Sequence, residues 1–225
     1  MVTVFLPCRE GSQRVPFKNT KPFSGIEGGL LKMKLKELIK VPSVNKIFLS
    51  TNDPKVIEIA KNINSNKIVI DIREDYLSSS STSTDDLINY VSEIIEDDHI
   101  LWTHVTSPFI TANIYQNIIK EYFIKLAEGF DSLMTVNKIQ TFLWNEKGSI
   151  NYDRNIEKWP RTQTLPKTYE VNSGVFINSL VNYSLFNDRI GESPFLYETF
   201  GYTSFDVDWP EDFLLAELIY KSLNE

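Results

Sequence analysis

Cysteine is nearly missing: Cys8 is the only one in 225 residues, beside two histidines. That excludes an intrachain disulfide framework and a zinc ribbon, and a lone thiol suits a reducing compartment. Long apolar runs are missing as well, since nothing approaches the roughly 18 to 20 residues of a membrane span. The first residues run into a strand pattern without a signal-peptide pattern, so a cytoplasmic protein with no membrane partner is expected. Positive charge is in deficit, with 23 Lys and Arg against 30 Asp and Glu and a net charge of −7. A chain of this balance offers no broad basic surface to nucleic acid or anionic lipid, so any anion site must be local. No internal repeat occurs, and only SSSSTST (78–84) is compositionally biased.

What is present is an alternation. Short β-rich runs at 2–8, 46–51, 67–72, 99–105 and 131–136 are separated by helical patterns at 28–40, 54–63, about 84–96 and near 112–128. Asp53 before Pro54 supplies an N-cap and a first-turn proline for the second helix. Strand and helix in alternation imply right-handed crossovers and a mostly parallel sheet covered on both faces, a Rossmann-like three-layer α/β sandwich in one domain. From about 137 to 171 the alternation breaks into a hairpin-like excursion with a turn at Lys147-Gly148, the candidate lobe or dimer arm. Strands are expected again at 172–179 and 202–208, and a closing helix starts at Pro210. Ligands bind at the carboxyl ends of strands in such sheets, so the loops after residues 8, 51, 72, 105 and 205 should converge on one crevice.

The first of these loops concentrates cations in an acidic protein. Arg9, Arg14 and Lys18 lie around Gly11, which permits close backbone approach, and Ser12, whose hydroxyl and neighbouring N–H groups donate to anions. The set suits a polyphosphate, although composition alone also allows a surface loop whose cations balance nearby acids. It is neither a dinucleotide fingerprint nor a P-loop. At the other end of the chain, FDVDWPEDF places Asp206 and Asp208 two residues apart. On a strand they would share one face roughly 7 Å apart and could hold one Mg²⁺ or an adjacent pair. Two solvated acids before a helix are the plain alternative, and Glu211 and Asp212 are explained by the dipole of the helix they begin.

Residues 9–19, REGSQRVPFKN, resemble the N-terminal signature of the acylneuraminate cytidylyltransferase family, R-x-G-S-x-R-x-P-x-K-N, through Arg9, Gly11, Ser12, Arg14, Pro16, Lys18 and Asn19. The resemblance implies a nucleotide-diphospho-sugar transferase type of fold and an enzyme that joins CTP to a sugar acid, giving a CMP-sugar and pyrophosphate. It further implies Mg²⁺ as cofactor, a homodimer, phosphate contacts from Arg9, Ser12 and Lys18, and Asn19 near cytosine. Gln13 stands where the family often has lysine.

Further segments extend the resemblance along nearly the whole chain. Arg73 and Leu77 match an R-P-x-x-L segment with Glu74 in place of proline, which implies that Arg73 reads the pyrimidine. Leu77, Ser83 and Thr84 match the segment that follows, with Ser80 in place of an aspartate; Thr84 can contact ribose or cap the next helix. HVTSPF (104–109) resembles Q-P-T-S-P-L, so His104 and Ser107 fall beside the acceptor, His104 in a binding role at most, and Ile110 replaces a frequent arginine. In WPRTQTLPKTYEVNSG, Arg161, Gln163 and Asn172 fit the family's acceptor segment, and an arginine fork suits a carboxylate; Glu170 replaces an arginine of some sialic-acid enzymes. The family's D-I-D corresponds to Asp206 and Asp208, so the expected catalytic set is Arg9, Lys18 and Asp208. A non-nonulosonate acceptor, a metal-dependent glycosyltransferase and an inactive nucleotide-binding protein remain open alternatives. Tyr115, Ile118, Ile119, Tyr122 and Phe123 read as core or dimer surface, and Cys8 as a buried residue rather than a nucleophile.

Overall fold

The computed structural model describes residues 1–79 and 81–224; Ser80 lies outside them. In chain order the elements are β1 (Val2–Pro7), α1 (Gly29–Lys40), β2 (Val44–Thr51), α2 (Pro54–Ile63), β3 (Ile68–Ile72), α3 (Thr84–Ile94), β4 (His99–Thr103), α4 (Ala112–Ala127), β5 (Ser132–Ile139), β6 (Trp144–Asn145), β7 (Gly148–Ser149), β8 (Thr168–Ser179), α5 (Leu180–Phe186), β9 (Pro194–Glu198) and α6 (Pro210–Asn224). Seven strands form one sheet in the order β3-β2-β1-β4-β8-β5-β9. β8 alone runs against its neighbours, pairing antiparallel with both β4 and β5. The chain is thus a Rossmann-like α/β fold with a mostly parallel mixed sheet.

Burial explains why the early strands are legible. β1 carries no polar face: Val2, Val4, Phe5 and Leu6 are all buried because helices cover both sides. One larger core joins β1, β2 and β4 to α1, α2 and α4, and a second, built on Phe5, Trp102, Phe176 and Tyr183, packs α3 and α5 on the other face. Tyr115, Ile118, Ile119 and Tyr122 lie in the first core, as the α4 periodicity requires. β2 and β3 follow β1 to one side, whereas β4 lies on its other side, so β1 and β4 flank the point where strand order reverses. In such sheets that reversal opens a crevice at the carboxyl ends of the strands.

Four elements differ from expectation. Residues 202–208 are not a strand: Gly201–Ser204 form a 3₁₀ turn and 205–208 run irregularly toward α6. The alternating pattern there has no partner strand, and the backbone is pinned instead by the Val207 N–H on the Thr106 carbonyl and by Lys18 Nζ on the Val207 carbonyl. The strand in this part of the sheet is β9, five residues that pair with β5. α5, of seven residues, is also new. Finally, β5 and β8 extend into the expected excursion, pairing as far as Ile139 with Thr168, so the irregular arm is confined to 140–167. Its hairpin turns at Glu146-Lys147 between β6 and β7, one residue earlier than expected. It has its own aromatic cluster, in which Trp144 stacks on Trp159 and Arg154 lies over both rings.

Candidate active site

A cavity of about 490 Å³ opens at the strand-order reversal, lined by residues that follow β1 and β4 together with the cation loop. Arg9, Ser12, Arg14, Lys18, Asn19, Arg73, Thr84 and His104 all line it, so eight residues scattered from 9 to 104 are brought together. Gly11 sits beside it in an adjoining depression with Arg9, Ser12, Lys18 and Asn19. Its φ of 81° lies in the left-handed region that a side chain disfavours. Phe17 holds a φ of 55° although it is bulky and 70% exposed. Strain of this kind persists where surroundings over-determine the backbone, and it concentrates at functional loops.

The loop is tied to the C-terminal segment by charge. Arg14 Nη2 donates to Asp208 Oδ1 at 2.8 Å, and its guanidinium lies 5.0 Å from the Trp209 ring centroid. Lys18, buried, donates from Nζ to the Val207 carbonyl at 2.8 Å and to the same Asp208 oxygen at 3.3 Å. Arg9 engages no carboxylate within ion-pair distance among the described residues. The sequence ends 194 residues apart are thereby closed into one site.

Asp206 and Asp208 have different surroundings. Asp208 is half-exposed and paired; Asp206 turns inward, and its Oδ1 is buried without a hydrogen-bond partner. Burial, helped by the Asp208 charge, raises the Asp206 pKa against the opposing hydrogen bond from Thr106. Neither acid lines the cavity, but Arg14 and Lys18, which contact Asp208, and Thr106, whose carbonyl holds the Val207 N–H, do. An orphaned buried carboxylate oxygen with a second carboxylate two residues on fits a hard divalent cation, which commonly takes one or two carboxylates and completes its shell from phosphate oxygens and water. No group of three or more His, Cys, Asp or Glu side chains suited to a metal occurs among the described residues, so the protein's share of such a site is this pair. Asp212 is committed elsewhere, accepting from the N–H groups of Asp208 and Trp209 at the start of α6.

The remaining expected residues divide. Arg73 lines the cavity but is buried, and its guanidinium donates to the Ser50 hydroxyl and to the carbonyls of Ser50 and Leu77. Thr84 is the first residue of α3, whereas the cap is Ser83, whose hydroxyl accepts from the Asp86 N–H while Asp86 reaches back to the Ser83 N–H. His104 accepts from Trp102 Nε1 at 3.1 Å through Nε2, an arrangement that assigns its proton to Nδ1. Burial first, and then Arg189, Lys34 and Lys18, push its pKa down to about 3, so it is neutral at ordinary pH. Ser107 is buried and does not line the cavity, and its carbonyl accepts from Lys34 Nζ. Asn172 is held in a network with Thr135, Asn137 and Thr199. Arg161 and Gln163 are exposed on the arm and do not line the cavity.

Among the lining residues that escaped sequence reasoning are Trp102 and Arg189. Trp102 lies in an apolar strand and reads as core. Arg189 follows α5 in a polar turn, and nothing local in FNDRIGE distinguishes it from a surface arginine.

Three cations of one glycine loop meet the C-terminal acidic segment at the β1 and β4 ends, and the cluster has the chemistry of an anion site. A cytidylyltransferase family model matches residues 3–215, and the chain belongs to that family. No curated protein matches the chain. Among solved structures it is similar to CMP:2-keto-3-deoxy-manno-octonic acid synthetase complexed with CTP, at 16% identity and a TM-score of 0.66 over 99% of both chains. It is similar to 4-diphosphocytidyl-2C-methyl-D-erythritol synthase from Anaerococcus prevotii DSM 20548, at 12% identity and 0.66 over 98% of this chain and 96% of the other. HddC from Yersinia pseudotuberculosis matches at 15% identity and 0.60 over 98% and 100%. At these identities the likeness is one of fold.

Proposed function

We propose that this chain transfers CMP from CTP to the anomeric hydroxyl of a sugar acid of the nonulosonate or related ulosonate type, releasing pyrophosphate. The observation that carries the reading is the cradle itself: Arg14 and Lys18 rest on one oxygen of Asp208 while Arg9 is left free, beside an orphaned Asp206 oxygen. Three cations gathered by a glycine loop match a triphosphate, and a structural relative is named for synthesis of a CMP-linked sugar acid.

In this mechanism Arg9, Arg14 and Lys18 bind the triphosphate, the last two exchanging Asp208 for phosphate oxygens. Asp206 and Asp208 would hold Mg²⁺, which when bound neutralises charge on the phosphates. The acceptor oxygen forms a bond to the α-phosphorus as the bond from that phosphorus to the bridging oxygen breaks. Pyrophosphate leaves with the electron pair, stabilised by Arg9 and Lys18, and the hydroxyl proton passes to Asp208 Oδ1, released by its former partners. Positioning and fixed charge supply most of the acceleration such a displacement needs.

The arm belongs to a homodimer in this reading. Trp144, Ile150, Ile156 and Trp159 are exposed on it, and Arg161 and Gln163 are exposed and do not line their own cavity, which supports assigning them to a partner's site. The test is pyrophosphate release from CTP and Mg²⁺ across neuraminic, legionaminic, pseudaminic and 3-deoxy-octulosonic acids, with ATP, GTP and UTP as controls. Release that requires CTP and one acid is expected, and Asp208→Asn should lower it by about 100-fold or more while the protein stays folded. Release with no acid, or full activity in D208N, refutes the assignment.

A further inference from the structure

We infer that Arg189 binds the carboxylate of the acceptor; this rests on the sugar-acid reading above. Five cations line the main cavity, namely Arg9, Arg14, Lys18, Arg73 and Arg189, and no Asp or Glu is among the lining residues. A triphosphate accounts for the three on the glycine loop. Arg73 is occupied by Ser50 and Leu77. Arg189 is the surplus charge, and it comes from the other half of the sheet, beside β4 and β8.

Its setting is that of a ligand-binding arginine rather than a structural one. The guanidinium carbon lies 3.8 Å from the Phe176 ring centroid and 5.4 Å from that of Trp102, so the group is held by aromatic faces. Those contacts fix a planar fork and leave its N–H edge unused. Among the described residues no carboxylate lies within ion-pair distance of Arg189, and no hydrogen bond from its guanidinium is formed. Neighbouring Asp188 turns instead to the Ile190 N–H. Burial disfavours the charged form of Arg189, a cost that an incoming anion would relieve.

The adjoining wall is complementary. His104, neutral with its proton on Nδ1, offers a donor without a second charge. A fixed cation next to a neutral donor matches a carboxylate beside sugar hydroxyls, since a planar guanidinium presents two parallel N–H groups to two carboxylate oxygens.

The test measures pyrophosphate release by wild type, Arg189→Gln and Arg189→Lys, varying each substrate with the other saturating. R189Q should raise KM for the acid by about 10- to 100-fold, the range expected for a lost charge-assisted pair, and keep KM for CTP within two-fold. R189K should recover part of the loss, and with the acid's methyl ester as acceptor R189Q and wild type should have equal KM. An unchanged KM for the acid, an equal rise for CTP, or the same loss with the ester overturns the assignment. Turnover of neutral acceptors alone overturns it together with the sugar-acid reading. If no acceptor is turned over, melting temperatures with CTP and each acid decide: a shift seen in wild type and lost in R189Q supports Arg189, and no shift with any acid removes it.

Discussion

Lys34 provides a test of the burial logic away from the chemistry. It sits on α1, 2% exposed, and donates from Nζ to the Ser107 carbonyl and the Tyr115 hydroxyl, each at 2.6 Å. No carboxylate pairs with it among the described residues, and burial pushes its pKa from 10.5 down to about 7 against the weaker pull of Asp206 and Glu37. Unfolded, the lysine holds its proton up to about 10.5; folded, it begins to lose it near 7. The unfolded chain therefore binds the extra proton in between, and stability rises with pH by about 1.4 kcal/mol per unit. Cys8 limits the gain. Its thiol, buried and pushed from 9.0 up to about 12, stays protonated when the unfolded thiol ionises, so stability is lost as pH climbs above 9. His99 and His104 are displaced downward and act only below about 6.5. Between pH 7 and 9 the wild-type protein should gain about 2 kcal/mol, or roughly 4 to 8 °C in Tm for a domain of this size. Urea melts followed by tryptophan fluorescence at pH 6, 7, 8 and 9 read this directly, with Lys34→Met as control. The variant leaves the Ser107 carbonyl without its partner, so its absolute stability is not the readout; its slope is, and it should be nearly flat. A wild-type midpoint that falls over this window, or a K34M slope equal to wild type, would show that Lys34 is not the group responsible.

Asp206→Asn should raise the melting point by a few degrees without divalent cation, because a buried carboxylate whose Oδ1 lacks a partner becomes neutral, and lose most turnover. Mg²⁺ with CTP should stabilise wild type more than this variant, and a lower melting point in D206N would contradict the orphaned-oxygen reading. Gly29→Ala should cost more than about 3 kcal/mol in a denaturant melt, since Gly29 has φ 50° and a Cβ would stand 2.0 Å from the Lys21 carbonyl oxygen. A loss under 1 kcal/mol would mean that this loop yields easily. Ser83→Ala should cost about 1 kcal/mol through the lost capping box and leave KM for CTP within two-fold. A large rise in that KM would move Ser83 from capping to binding.

The parts of this molecule legible in sequence are those whose physics is local. β1 and β4 read as buried strands because both faces are covered and the residues are continuously apolar, and α2 reads from Asp53, whose carboxylate caps the Lys55 N–H, followed by Pro54. The cation loop reads because arginine and lysine at a strand end have no place in a core. Residues 202–208 misled because alternation there is genuine, with Val207 buried between two acids, yet alternation makes a strand only when a neighbour supplies the ladder. β9 escaped because five residues opened by a proline carry too little pattern, and the GES before it looks like loop.

Arg189 marks a different limit. Its meaning depends on Phe176 and Trp102, which belong to β8 and β4, and on Asp188 turning to the Ile190 N–H rather than pairing with it, which no window of sequence reveals. Thr84 and Ser83 make the same point on a smaller scale: either hydroxyl could cap α3, and only the backbone geometry decides that Ser83 accepts from Asp86 and leaves Thr84 facing the cavity. Composition and motif identify the half of the site proposed to hold phosphate, because its cations lie on one short loop. The half proposed to bind the acceptor is assembled from β4, β8, the turn after α5 and, in the proposed dimer, the partner's arm, so no single stretch of sequence displays it. In the proposed reading, His104 and Ile110 therefore bear on which acid is used, while Arg9, Arg14 and Lys18 bear on whether a nucleotide is used at all.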